Sequence, residues 1–161
     1  MSRFLDKDGT LSQFGLVIYP VDFVVAIGDI EDEVNKYYIP YDEEYKDVRI
    51  VAPRTTGTTY RVKERSTEIP CILIWIKKKE EFTTSIVAHE CTHAALEIWA
   101  YIGSEVSLDN QEPFAYLVGN LVRLAVGCFY EIPGIKPPVV SHDAFVNPTK
   151  LKRLRKNGAK K

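Results

Sequence analysis

Residues 69–103 read IPCILIWIKKKEEFTTSIVAHECTHAALEIWAYIG, and two patterns meet inside them. Ile69 to Lys77 is a short, nearly continuous apolar run that opens beside Pro70 and closes on three lysines. Its length and its proline favour a strand over a buried helix, which periodicity alone does not separate. From Glu80 to Ile102 the pattern becomes helical. Acids lead, Thr83 or Thr84 can cap, and Gly103 follows the last helical position. Ile86, Val87, Ala94, Leu96 and Trp99 supply the apolar faces of this helix.

Downstream, the polar stretch SEVSLDN leads into a second helix from about Asn110 to Tyr130. Phe114, Leu117, Val118, Leu121, Leu124 and Ala125 recur there at helical spacing. Pro133, Pro137 and Pro138 then predict an extended loop. Upstream, Gly15 to Ile27 (GLVIYPVDFVVAI) is rich in β-branched and aromatic residues and predicts one or two strands broken at Pro20. Asp29 to Tyr38 suits a short helix. Tyr45–Val51 and Thr59–Lys63 predict a strand pair turning at Gly57. Strands precede two helices, so the expected fold class is α+β: a small twisted sheet packed against two helices.

Inside the first long helix, residues 89–93 spell His-Glu-Cys-Thr-His. Histidines four apart lie one turn apart on one face, so both imidazoles can converge on one ion. Neutral imidazole ligates zinc at about 2.0–2.1 Å. Glu90, next to the first histidine, points toward the same cleft and can take a proton from water there. Two of the three histidines in the chain belong to this motif; the third is His142. Satisfied, partly buried histidines are the competing explanation.

A catalytic zinc site asks for a third protein ligand. Glu97 lies eight residues past His89, about 12 Å along the axis, too far for one ion to share. Glu105 and Asp109 sit in the interhelical loop, and Glu112 opens the second helix. Asp109 and Glu112 also resemble a capping box, although Pro113 suits the first helical position better. Tyr116, Asn120 and Arg123 continue a polar stripe from Glu112. Cys91 points away from both histidines. It reads as a packed residue, as do Cys71 and Cys128 in their apolar runs.

H-E-x-x-H, an eighteen-residue spacer (Ala94 to Gln111) and a glutamate near the start of the next helix resemble the gluzincin branch of the zincin metallopeptidases. The stretch HECTHAALEIWAYIG…NQEPFAYLVGNL is also similar to small zincin-like proteins encoded by bacteriophages. The likeness covers about Phe82 to Val126. It implies a minimal zincin-like domain binding Zn2+ through His89, His93 and Glu112, with Glu90 as general base and a peptide or protein as substrate. It also implies an oxyanion donor, for which Tyr116, Tyr130 and His142 stand as candidates, and an edge strand beside the active helix. Ile72–Lys77 is the strand expected to fill that place.

Composition bounds the rest. The 161 residues, 45% hydrophobic and 27% charged, suit one globular domain. The final thirteen residues carry seven Lys or Arg and no acid, which leaves 14 basic and 22 acidic residues, a net of −8, over 1–148. The expected division is a metal-binding domain over 1–148 and a basic tail over 149–161. The tail can contact nucleic acid or an acidic partner if it is more than a solvated terminus. Three cysteines, with no C-x-x-C pair, argue against a disulfide framework. With no leader-like N-terminus and no run of 18 apolar residues, a cytoplasmic protein without a membrane span is expected (host cytoplasm if phage-encoded). Two other functions fit the same residues: a non-catalytic zincin-like binding or virion-associated protein, and a domain in which zinc only staples two helices.

Overall fold

The computed structural model describes residues 2–136. The strands are β1 (Ser2–Leu5), β2 (Thr10–Gly15), β3 (Asp22–Ile27), β4 (Tyr38–Pro40), β5 (Gly57–Glu64) and β6 (Pro70–Ile76). The helices are α1 (Glu31–Tyr37), α2 (Thr84–Tyr101) and α3 (Gln111–Glu131). All six strands form one sheet in the order β1-β2-β3-β6-β5-β4. Neighbours run antiparallel except β3 and β6, which pair in parallel from Asp22↔Cys71 to Ile27↔Ile76. The fold is α+β, as the order of patterns predicts.

The two central strands explain why their sequences lack an alternating pattern. Phe23, Val25, Ile27, Ile72, Ile74 and Ile76 pack under α2 and α3. Their neighbours Val24, Ala26, Leu73 and Trp75 pack on the other face with Val34 of α1. A strand covered on both faces needs apolar residues at every position.

The sheet curls around that second core. Gln13 on β2 accepts from Arg3 Nε of β1 at 2.8 Å and from the Tyr38 hydroxyl of β4 at 2.7 Å. Arg3 also pairs with Glu64 of β5. Residues three or more strands apart in the sheet order therefore meet at one end. Each buried polar atom of this closure has a charged or hydrogen-bonding partner, as burial requires.

Two expectations for the chain path are corrected. Tyr45–Val51 is not a strand: a 3-10 turn occupies Glu43–Tyr45 and irregular chain follows. The Asn35 side chain takes both main-chain groups of Ile50, at 2.8 and 2.7 Å, so those groups need no strand partner. Gly57 accordingly begins β5 rather than turning a hairpin. Only the second half of GLVIYPVDFVVAI is a new strand. Its first half is a turn closed by Tyr19 N donating to Leu16 O, with Val17 and Ile18 exposed.

Thr83 caps α2 by accepting from Ile86 N. The helix ends where Gly103 takes φ +71° and Ser104 N donates to Trp99 O, a left-handed cap that favours glycine. α3 runs back antiparallel along α2: Trp99 meets Phe114 at 5.4 Å between ring centroids, and Phe82 stacks on Phe129 at 4.1 Å. By length and composition α3 is apolar enough to cross a membrane, which the absence of a long apolar run did not suggest. Its Leu117, Leu121, Ala125 and Cys128 are part of the protein core.

Candidate functional site

α2 presents two faces. Val87, Cys91, Ala94, Ala95 and Ile98 are buried against the sheet and α3, while His89 and His93 are exposed one turn apart on the outer side. Their Nε2 atoms stand 3.1 Å apart, with the rings nearly perpendicular at 80°. At that distance either one nitrogen donates to the other, or both lone pairs face a shared cation. Tetrahedral zinc with bonds of about 2.0–2.1 Å separates two ligand nitrogens by about 3.3 Å. The 3.1 Å spacing of the pair is close to that separation.

Glu90 turns inward, only 6% exposed, toward β5. The Thr59 hydroxyl lies 2.8 Å from Glu90 Oε2, and a Cβ placed on Gly57 would stand 3.1 Å from Glu90 Oε1. The carboxylate thus occupies space that exists because residue 57 has no side chain. Together Gly57, Thr58, Thr59, His89, Glu90, His93 and Glu97 line a cleft of about 310 Å³. It adjoins a second hollow of about 420 Å³ that reaches Thr55, Ser85 and Ile86.

The strand beside this cleft is β5, not Ile72–Lys77. β6 lies inside the sheet between β3 and β5, so it has no free edge. β5 does have one: β4 pairs only with Val62 to Glu64, and Tyr41 N donates to Arg61 O just beyond. Thr56 and Glu64 bond to the β6 side, so the alternating residues Gly57 and Thr59 turn their main-chain groups to the open side. Hydroxyls of Thr55 and Thr58 take up the Gly57 carbonyl, at 2.9 and 2.7 Å. Among the described residues, no strand pairs there.

The remaining expected residues separate from the cleft. Glu112 is exposed near the start of α3, at the end of the helix pair where Phe114 meets Trp99, and it lines neither hollow. Asn110, the residue before α3, spends its side chain on Ser107 N and Glu105 O, so no capping box forms. Tyr116 is 76% exposed on a different hollow, between α3 and the β2–β3 turn. Tyr130 lies near the α3 C-terminus and is absent from the cleft lining. His142 and residues 149–161 fall outside the described residues. Among the described residues, no group of three His, Cys, Asp or Glu stands close enough to hold a metal.

Glu97, excluded as a ligand by helical rise, nevertheless lines the cleft, and its carboxylate pairs with Arg61 of β5. Thr59 and Arg61, with Gly57 in place of the turn expected there, join the site without a motif of their own. Their only signal is period-two spacing along one strand, which becomes meaningful once β5 is seen beside α2. Cys91 is buried and packed, as its helical angle predicts, and burial pushes its thiol up to about 12. Comparison with family models, curated proteins and solved structures finds no match to this chain.

Proposed function

We propose that the protein is a zinc-dependent hydrolase acting on peptide bonds, with His89 and His93 as metal ligands and Glu90 as general base. The observation that carries this reading is the convergence of the two Nε2 atoms to 3.1 Å on the rim of the cleft that Glu90 also lines. When bound, zinc would polarise a substrate carbonyl and acidify water. Thr59 holds Glu90 Oε2, which leaves Oε1 to accept a proton from water and return it to the leaving amine. The open main chain at Thr59 can align an extended peptide beside the cleft, as a sheet edge receives an added strand.

Among the described residues two candidate ligands come together, so zinc held by them is expected to exchange readily and to yield to brief chelation. The three unpaired thiols accord with action in a reducing compartment such as a cytoplasm.

Zinc content after metal loading, measured beside turnover of a peptide mixture, tests the proposal. Wild type should retain one zinc per chain and His93→Ala none. Glu90→Gln should keep the metal and lose turnover. A wild type that takes up no zinc, or a Glu90→Gln variant of full activity, would overturn the reading.

A further inference from the structure

The outer face of α3 carries a pattern that the cleft does not use. Glu112, Tyr116, Gly119 and Arg123 follow one another at steps of four, three and four residues. At about 100° per residue they fall within about 60° of one another, one stripe spanning about 16 Å. All four are exposed, and Tyr116 stands 76% clear of the protein. A Cβ on Gly119 would meet nothing within 4 Å, so the helix surface is open there. Among the described residues Glu112 has no ion pair, and the Arg123 contact is a 2.9 Å hydrogen bond to Asn120 on the same helix. Beside the stripe the β2–β3 turn holds out Val17 and Ile18, which with Tyr116 and Leu117 line a hollow of about 710 Å³.

The stripe reads acid, knob, hole, base, and it is complementary to itself when reversed. A two-fold axis passing between residues 117 and 118 sets Glu112 opposite the partner's Arg123 and Tyr116 opposite the partner's Gly119. The opposite ends repeat the same contacts, as an isologous interface requires. Gly119 and the neighbouring exposed Ala115 would let two such helices approach, and the partner's tyrosine would fill the space a larger residue would take. The Val17–Ile18 turn flanks this contact and widens its apolar area.

We infer that α3 is a homodimerisation surface and that its occupant is a second copy of this chain, packed antiparallel. The inference stands independently of the hydrolase reading. It also gives the exposed Tyr116 a partner and Glu112 a use away from the cleft.

Sedimentation equilibrium of the full chain, from low micromolar to a few hundred micromolar, tests it with charge-reversal variants at these exposed positions. Wild type should dimerise. Glu112→Arg and Arg123→Glu should each weaken the dimer about tenfold or more, since like charges then face each other. Combining the two reverses both ends and should restore wild-type association. Circular dichroism and urea midpoints would show that the single variants fold. A monomeric wild type overturns the inference. So does a dimer indifferent to both single changes, or one that the double variant fails to recover.

Discussion

The Thr59 hydroxyl lies 2.8 Å from Glu90 Oε2 and 3.2 Å from the main-chain oxygen of the same glutamate. One strand residue thus reaches both the carboxylate and the backbone of the residue proposed as general base. Glu90 is buried, and a buried carboxylate deprived of a donor costs free energy that a solvated one does not. Thr59→Val keeps the shape and removes the donor. It should destabilise the fold by about 1–3 kcal/mol in urea titration, and Thr59→Ser should restore most of the loss. If valine were as stable as threonine, the hydroxyl would not be holding Glu90.

Gly57 acts on the same carboxylate through space rather than through a bond. A Cβ there would stand 3.1 Å from both Glu90 Cγ and Oε1 and 3.3 Å from Cδ. Glu90 cannot retreat freely, because its other oxygen is held by Thr59 and the residue is buried. Gly57→Ala should therefore displace the carboxylate and cost about 1 kcal/mol or more, as small overpacking does. In the proposed mechanism turnover falls while zinc content stays, because the atoms nearest a Cβ at residue 57 belong to Glu90 and not to either histidine. Equal loss of zinc and turnover would mean that the change spreads to the whole cleft.

Much of this arrangement is legible from the sequence, and the boundary of what is legible has physical causes. The IPCILIWIK run gives β6, because unbroken apolar character with a flanking proline leaves few alternatives. Thr83 and Gly103 bound α2 because capping is local chemistry, and the histidine pair follows from helical spacing alone. Which strand lies beside α2 is a matter of sheet order. β3 and β6 pair in parallel across an intervening helix and two strands, so β5 reaches the cleft through contacts distant in sequence. Asn35 holding Ile50 in place of a strand pair is of the same kind. The eighteen-residue spacer fixes how far Glu112 can travel, but the Phe114–Trp99 contact decides where it goes.

The three cysteines give a prediction in alkaline solution. Burial pushes the thiols of Cys71 and Cys91 up to about 12 and that of Cys128 to about 11. In the unfolded chain a thiol titrates near about 8.5. The folded values are raised, so the folded chain holds protons that the unfolded chain releases. The associated stability is fully present below about pH 8.5 and is lost as pH rises through the folded values. Urea midpoints should hold steady near neutrality and decline in the alkaline range, less steeply in Cys91→Ala. A thiol reagent should label the native protein slowly at pH 8 and all three sites on unfolding. Rapid native labelling would contradict the burial of these residues.

Metal retention would separate the histidines from Glu112. His89 and His93 stand with their nitrogens 3.1 Å apart, so in the proposed site removing either imidazole would leave a single ligand. Glu112 lies exposed near the far end of the helix pair, with a phenylalanine–tryptophan contact marking its level against Trp99 rather than against His93. From His93 to Trp99 is already about 9 Å along the axis, beyond what one ion can bridge at zinc–oxygen distances of about 2.0–2.2 Å. The expected outcome is therefore asymmetric. His89→Ala and His93→Ala should each weaken zinc binding about a hundredfold or more by competition with a chelating dye, and Glu112→Ala should bind as wild type does. If Glu112→Ala instead lost zinc together with the histidine variants, the start of α3 would have to move against α2 on metal binding. The gluzincin-like ligand set that the sequence spacing suggests would then describe the loaded protein.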